Sequence, residues 1–265
     1  MAMELAARDG RVIVNADALQ VYDCWRVLTA RPSTAEEALA PHALYGHVGR
    51  DRDYSVGAWL REVSGLLDRP LVIVGGTGLY FSALTEGLAD VPAIPAEVRA
   101  EADQLRVSGQ TDVMRTALDA ATVARTDMLN PMRVQRAWEV LRATGRGLAA
   151  WQAEGAPPLL PLDGVDALVL RPPVPWLDNR IAQRFSVMLE AGALEEVSVA
   201  LPDWQPDRPW ARAIGARELV AHLLGKVDLD TATAQAVLSS RQYAKRQRTW
   251  FRSRMANWRA IDPSA

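Results

Sequence analysis

The chain of 265 residues has few of the residues that form disulfides or bind transition metals. Cys24 is its only cysteine, and His42, His47 and His222 are its only histidines. An internal disulfide is therefore excluded, and a structural zinc site is not expected. Cys24 follows a predicted strand, so we expect its thiol to pack against the fold rather than to react. This cysteine usage is typical of a reducing compartment and predicts a cytoplasmic protein.

The patterns that direct a chain to a membrane are also missing. No apolar run reaches about 18 residues, the length that indicates a membrane-spanning helix. The amino-terminal residues do not show the basic-then-apolar order of a secretory signal peptide. We therefore expect no membrane contact.

A further absence is the loop G-x-x-x-x-G-K-[ST], which binds phosphate in many nucleotide-binding folds. In such folds the loop and the strand before it come first in the chain. Here Met1–Ala6 has the pattern of a helix interior with no capping residue before it, and the apolar run Val12–Asn15 follows. The sequence therefore predicts an α/β fold of the nucleotide-binding type whose first strand and phosphate-binding loop are absent from this chain.

The apolar runs that are present indicate a parallel sheet. Runs at 12–15, 71–75 and 165–170 are short, rich in β-branched residues and bounded by turn residues, which is typical of buried parallel strands. Segments 34–40 and 56–67 have helical spacing and lie between the first two runs. This order of strand, helix and strand predicts an α/β sheet with helical crossovers.

The middle of the chain lacks this alternation of strands and helices. Prolines bound a helix-rich stretch with no strand pattern, which predicts a helical insertion at 92–161 within an α/β core at 1–91 and 162–265. The core is expected to end in a long helix that runs from about Asp230, a plausible N-cap, to Asn257.

Charge is distributed unevenly along the chain. The formal net charge is −2, yet the last thirty residues contain seven lysines or arginines and a single acidic residue, Asp262. Within this segment a basic stripe at helical spacing alternates with aromatic residues: Arg241, Lys245, Arg248 and Arg252 with Tyr243, Trp250 and Phe251. This pattern favours an RNA-binding helix. A surface helix that buries its aromatic side against the core would look similar.

Two turns are candidates for a catalytic centre, because ligands of open α/β sheets bind at the carboxyl ends of the strands. Asp17 ends the first turn, where its carboxylate could accept a proton or cap a helix. In the second turn, Gly75–Gly78, the glycines allow a ligand to approach the backbone at the start of a helix. Arginines one helical turn apart, at 133 and 136 and at 180 and 184, could hold a phosphate chain or lie solvated on helix surfaces.

Taken in order, these segments resemble the tRNA dimethylallyltransferase family, which isopentenylates an adenine beside the anticodon. The matching stretches are NADALQVY at 15–22, TARP at 29–32, YSVGAWL at 54–60, VGGTGLYFSALTEGL at 74–88, NPMRVQRAWEVL at 130–141, RIAQRFSVML at 180–189, AIGARELVAHL at 213–223 and RQYAKRQRTWFR at 241–252. The resemblance spans nearly the whole chain. It implies a P-loop-NTPase-like parallel sheet flanked by helices, with a tRNA-binding helical insertion. The chain departs from the family pattern in the missing Walker-A-like loop and strand, and in Ala216, where many members have Tyr.

The resemblance also implies roles for individual residues. Asp17 matches the general base that engages the exocyclic amine of adenine, and Arg133 and Arg184 match arginines near the diphosphate. The positions implied to contact tRNA are Asp17, Ala18, Leu19, Gln20, Thr77, Arg99, Met132, Arg133, Val134, Gln135, Arg136, Arg212, Gly215, Arg217, Arg241, Lys245 and Arg248. The implied substrates are dimethylallyl diphosphate and the tRNA anticodon stem-loop. Mg²⁺ is the implied cofactor, with no protein ligands assigned to a metal, and a monomer is expected.

Three activities remain open at this point. The chain could be a tRNA dimethylallyltransferase, an adenine-nucleotide isopentenyltransferase or P-loop kinase relative that acts on a small molecule, or a non-catalytic RNA-binding remnant. The basic terminal helix and the arginine-bearing insertion favour the first, because a small substrate requires neither. Since the diphosphate loop is absent, we expect this chain to bind dimethylallyl diphosphate weakly and to transfer little. We also expect unpaired inner strand edges that reduce its stability.

Overall fold

The computed structural model describes residues 1–264, which form two compact units. The first unit comprises Met1–Ala83 and the chain from Leu160 onward, and the second is Leu84–Leu159. Each has its own buried apolar cluster. No helix in residues 1–264 combines the length and the apolar character needed to cross a membrane.

The amino-terminal part of the chain alternates helices with parallel strands. In order, the elements are α1 (Ala2–Asp9), β1 (Val12–Asn15), α2 (Thr34–Leu39), β2 (His42–Ala43), α3 (Val56–Ser64), β3 (Leu71–Val74) and α4 (Gly78–Glu86). β1 lies between β2 and β3, and both neighbours run parallel to it. Ile13 and Val14 of β1 are buried, as expected for the central strand of a parallel sheet. Polar residues begin where β1 and β3 end, at the carboxyl edge of the sheet.

The regular elements described in the second unit are all helices. These are α5 (Ala96–Val107), α6 (Thr111–Ala117), α7 (Ala120–Arg125), α8 (Pro131–Thr144) and α9 (Leu148–Glu154). Their core contains Met114, Val134 and Trp138. α8 begins after Asn130, whose side chain accepts hydrogen bonds from two backbone N–H groups, and ends at Gly145 in the left-handed conformation.

The remainder of the first unit adds a strand pair and four long helices. The elements are β4 (Leu168–Leu170), α10 (Val174–Glu190), α11 (Ala193–Ala200), α12 (Ala216–Leu223), α13 (Leu229–Arg254) and β5 (Arg259–Ile261). Trp25 and Trp210 lie in the core against these helices, and the Trp25 indole N–H donates to the Trp210 carbonyl at 2.8 Å. This hydrogen bond satisfies a polar group that would otherwise be buried without a partner.

The structure differs from the sequence-based expectation in several elements. The strands predicted at 12–15 and 71–75 are present, but the third forms only at Leu168–Leu170 and pairs with β5 in a separate sheet. Within residues 1–264, β3 pairs with β1 alone. The terminal helix is capped by Asp228 rather than Asp230, because the Asp228 carboxylate accepts the N–H of Thr231. The expected absence of a first strand and a Walker-A-like loop stays a prediction.

Candidate active site

Asp17 stands in the turn that follows β1, and its two carboxylate oxygens have different surroundings. Buried Asn15 shapes the turn, since its side chain donates to the carbonyls of Asp17 and Leu44 and accepts the N–H of Asp17. Asp17 Oδ1 accepts the N–H groups of Leu19 at 2.8 Å and Gln20 at 3.3 Å. Within the described residues Oδ2 accepts no hydrogen bond. Asp17 therefore caps its turn with one oxygen and keeps the other available to accept a proton.

The glycine turn after β3 packs directly against the Asp17 turn. A Cβ on Gly75 would lie 2.1 Å from the carbonyl oxygen of Ala16, so only glycine fits there. The N–H of Thr77 donates to Ala16 at 3.2 Å, and the Thr77 hydroxyl accepts the N–H of Ala18 at 2.9 Å. The two candidate turns thus form one surface at the carboxyl edge of the sheet.

One face of α13 covers this surface. Gln247 donates to the carbonyl of Gly76 at 2.9 Å, and a Cβ on Gly78 would strike the Trp250 indole at 2.2 Å. The Tyr243 hydroxyl lies in hydrogen-bonding reach of Thr77 and Gln247. The sequence favoured RNA as the partner of the aromatic residues in this segment and left packing against the core as the alternative, and Trp250 does pack on the glycine turn. The spacing of Tyr243, Gln247 and Trp250, four and three residues, was the available signal for a face that packs on a partner.

Neutral phenols surround the Asp17 carboxylate. Burial and the nearby charge of Asp17 raise the pKa of Tyr45 to about 12. Burial, with a smaller contribution from Asp17, also raises the pKa values of Tyr80 and Tyr243 above the ordinary tyrosine value. These three hydroxyls therefore keep their protons at neutral pH.

Arg184, on α10, lies within electrostatic range of Asp17. Displacement of water by the surrounding protein lowers the pKa of this guanidinium, Asp17 raises it, and Arg180 lowers it further. Arg184 Nη2 makes a long hydrogen bond of 3.5 Å to the Thr29 carbonyl. Arg180 lies instead over the Trp176 ring at 5.2 Å. Of this predicted pair, Arg184 is the member near the Asp17 carboxylate.

The predicted residues of the second unit divide into exposed and buried groups. Met132, Arg133 and Arg136 are exposed along the first turns of α8. Val134 and Gln135, which the resemblance assigned to tRNA contact, are buried instead. Val134 packs in the helical core, and Gln135 hydrogen-bonds to three neighbours, namely Arg106, Asp103 and Glu139. These two side chains therefore support the helix rather than face a ligand. Arg99, the other residue assigned to tRNA in this unit, lies on α5.

The predicted RNA surface of the first unit is also only partly exposed. Arg241 and Lys245 are exposed, whereas Arg248 is half-buried and its Nη1 atom is inaccessible to solvent. Gly215 is buried against Phe185 with a φ of 94°, so its role is conformational. Arg212 and Arg217 are exposed and, with Arg246, line an open cavity of about 410 Å³ between α12 and α13.

Comparison with known proteins supports the relationship that the motifs indicate. The IPP transferase family model matches residues 20–254. A tRNA dimethylallyltransferase from Cereibacter sphaeroides strain KD131 is 64% identical over 263 residues, which cover 98% of this chain and 84% of that protein. A tRNA dimethylallyltransferase from Paracoccus denitrificans is 58% identical over 269 residues, covering 98% of this chain and 89% of that protein.

Solved structures have the same fold. The full-length tRNA isopentenylpyrophosphate transferase from Bacillus halodurans superposes with a TM-score of 0.67 at 27% identity, covering 98% of this chain and 84% of that chain. A eukaryotic dimethylallyltransferase acting on tRNA superposes with a TM-score of 0.76 at 23% identity, covering 94% of this chain and 65% of that chain. At this identity the likeness shows the fold alone. The resemblance drawn from the sequence motifs is confirmed. The chain belongs to the IPP transferase family, a family of enzymes.

Proposed function

We propose that the protein transfers a dimethylallyl group from dimethylallyl diphosphate to the exocyclic N6 of the adenine next to the anticodon in tRNA. The observation that supports this activity most directly is Asp17, fixed at the carboxyl edge of the sheet with Oδ2 available. The names of relatives that are 58% and 64% identical point to the same reaction.

The reaction needs a proton acceptor beside the adenine. The amine is a weak nucleophile, and it attacks the allylic carbon as its proton moves to a base. In this step the N6–C bond forms, the bond from carbon to the diphosphate oxygen breaks, and Asp17 Oδ2 receives the proton. The hydrogen bonds to Asp17 Oδ1 keep the carboxylate oriented while this happens.

The departing diphosphate gains negative charge, which positive groups must stabilise. Arg184 is the guanidinium near Asp17. The role of Arg133 at the diphosphate stays a prediction from the family resemblance. Mg²⁺ neutralises phosphate charge, and it usually takes substrate phosphates and few carboxylates as ligands. Within residues 1–264 no group of three or more acidic, histidine or cysteine side chains could hold a metal ion. We expect the ion to bind together with the diphosphate of the substrate.

The tRNA would lie on exposed basic residues around this site. Arg241 and Lys245 on α13, and Arg212 and Arg217 at the neighbouring cavity, present positive charge to solvent. An adenine in a loop leaves its stack at a cost of only a few kcal/mol, which suits a catalytic base that lies within the fold. We expect the enzyme to act as a cytoplasmic monomer.

The test offers labelled dimethylallyl diphosphate with two acceptors, an anticodon stem-loop RNA and free adenosine monophosphate. We expect the label to appear on the RNA, at a low level because weak binding of dimethylallyl diphosphate is predicted for this chain. The label should disappear when the adenine next to the anticodon is replaced by guanine. Transfer to the free nucleotide alone would favour the small-molecule isopentenyltransferase instead. Binding of RNA without any transfer would favour the non-catalytic alternative.

A further inference from the structure

A glutamate outside the candidate site binds three consecutive backbone amides. Glu196, on α11, accepts the N–H of Arg26 at 2.6 Å and of Val27 at 3.0 Å on Oε1. Its Oε2 accepts the N–H of Leu28 at 2.8 Å. The neighbouring Glu195 is exposed. Hydrogen bonds to a charged acceptor are among the stronger ones in proteins, so Glu196 fixes this loop to α11.

The loop that Glu196 holds has its own backbone hydrogen bonds, and its Thr29 and Ala30 carbonyls accept hydrogen bonds from side chains outside the loop. Within the loop, the N–H of Ala30 donates to Val27 and the N–H of Arg31 donates to Arg26, each at 2.9 Å. Ala30 has a φ of 48°, an unfavourable conformation for alanine that a fixed loop must maintain. The carbonyls of Thr29 and Ala30, the next residues in the chain after those bound by Glu196, are therefore held in fixed directions.

Both candidate catalytic side chains connect to one of these carbonyls. Gln20 Nε2 donates to the Thr29 carbonyl at 2.8 Å and to the Ala30 carbonyl at 3.1 Å. The backbone N–H of the same Gln20 donates to Asp17 Oδ1. Arg184 Nη2 makes its long contact with the same Thr29 carbonyl. A movement of Thr29 would therefore change the position of the Asp17 turn and of Arg184 together.

We propose that Glu196 is a positioning residue for the transfer reaction. It holds Arg26–Leu28, which sets the Thr29 carbonyl, and through Gln20 this carbonyl orients the Asp17 carboxylate. This inference rests on the proposed function for its kinetic effect, but the coupling between Glu196 and the Asp17 turn is a property of the chain itself. A carboxylate suits the role because three N–H donors converge on one side chain. The oxygen of a neutral amide accepts only two hydrogen bonds, and the NH₂ group beside it only donates.

Two substitutions of different severity test the proposal. Glu196→Gln keeps one oxygen for Arg26 and Val27 but presents an NH₂ group to the Leu28 N–H, whereas Glu196→Ala removes all three acceptors. Glu195→Gln is the matched control, on the same helix and with the same change of charge. The first measurement is amide hydrogen exchange by NMR, which requires no activity. We expect faster exchange at residues 26–28 and also at Leu19 and Gln20, in the order Ala, Gln, wild type.

The second measurement is the single-turnover transfer rate, well below the melting temperature of each variant. We expect a loss of about 10-fold for Glu196→Gln and on the order of 10²-fold for Glu196→Ala, because small misplacements of catalytic groups have effects of this size. Affinity for tRNA should stay within about 3-fold, since binding by charge does not depend on this loop. In a Gln20→Ala background, Glu196→Gln should reduce the rate less than it does in the wild type.

The outcomes separate this proposal from the proposed function. A wild-type chain that transfers nothing contradicts the proposed function, while the exchange data still decide the coupling. Faster exchange confined to 26–28, an unchanged transfer rate in a folded Glu196→Gln variant, or full additivity with Gln20→Ala would overturn the positioning role. A loss of melting temperature alone, with a normal rate, would show that Glu196 only stabilises the fold.

Discussion

The two oxygens of Asp17 allow the turn and the chemistry to be separated by one substitution. In Asp17→Asn the amide oxygen can still accept the N–H groups of Leu19 and Gln20, but the NH₂ group cannot take a proton. We expect single-turnover transfer to fall by about 10²–10⁴-fold, the usual contribution of a general base. Affinity for tRNA should change little. Asp23→Asn, at an exposed aspartate in the next turn, is the control. A near-normal rate in Asp17→Asn would remove Asp17 from the mechanism.

Cys24 provides a second prediction at the scale of a residue. Burial, followed by the charge of Asp23, raises the pKa of its thiol to about 12. The reactive form is the thiolate, so at pH 8 its population is roughly 10³-fold smaller than for a thiol whose pKa is near 9. We expect iodoacetamide to modify the native protein correspondingly slowly and the urea-unfolded protein rapidly. Equal rates in the two states would show that the thiol is exposed and unperturbed.

The role of a residue could be predicted from the sequence when the neighbouring residues in the same segment were enough to indicate it. Asp17 follows an apolar strand within a family motif, so both its place at the sheet edge and its candidate chemistry could be proposed. Gln247 could not, because the carbonyl it contacts lies 171 residues earlier in the chain. Val134 and Gln135 were assigned to tRNA contact by the family resemblance. Their burial depends on the packing of α8, which the motif does not reveal.

At the scale of elements, α13 has two functions on two faces. Gln247 and Trp250 cover the glycine turn, whereas Arg241, Lys245 and Arg252 point to solvent. Replacing these three basic residues with alanine should weaken tRNA binding and reduce the slope of log K against log salt by roughly 0.7 for each lost contact with a single-stranded phosphate. Arg8→Ala, which removes an exposed arginine on α1 paired with Asp9, is the control. An unchanged slope would place the RNA elsewhere.

The glycine turn itself makes a prediction about stability. In Gly75→Ala the new methyl group would meet the Ala16 backbone at 2.1 Å, and neither turn can move without breaking hydrogen bonds. We expect a loss of about 1–3 kcal/mol in the free energy of unfolding, measured with urea. Gly65→Ala is the control, because its φ is −73° and its nearest contact would be an ordinary 3.5 Å. Equal stability of the two variants would contradict the close approach of the turns.

Elements were predictable from the sequence in proportion to their length. The strands at 12–15 and 71–74 and the long helices have enough residues to show a period. β2 has two residues and β5 has three, so neither is long enough to show a hydrophobic period. β2 is defined by its pairing with β1, and β5 by its pairing with β4. The predicted cap of the terminal helix lies two residues after the observed one, because Asp228 and Asp230 are both plausible N-caps from the sequence. Only the observed bond to Thr231 distinguishes them.

At the scale of the whole molecule, the second unit is an insertion whose two ends meet. The N–H of Ala156 donates to the carbonyl of Leu88 at 3.3 Å, and a Cβ on Gly87 would strike the Ala156 carbonyl at 2.0 Å. Insertions of this kind interrupt a domain without separating the segments on either side, because closing a short gap costs little conformational entropy. From its prolines and the loss of strand patterns, the sequence placed a helical insertion at 92–161, and the compact unit is Leu84–Leu159.

The last prediction follows from this arrangement. Replacing residues 89–155 with Gly-Ser-Gly should leave the first unit folded, with one cooperative thermal transition, because its core cluster contains no residue from the deleted segment. The same change removes Arg99, Arg133 and Arg136, so tRNA affinity should fall by at least about 10-fold through lost phosphate contacts. Trp138→Ala in the full chain is the companion variant. It should destabilise the second unit by about 3–5 kcal/mol and leave the transition of the first unchanged. Two results would show that the two units fold as one. The deletion variant would fail to fold, or Trp138→Ala would lower the stability of both units in a single transition.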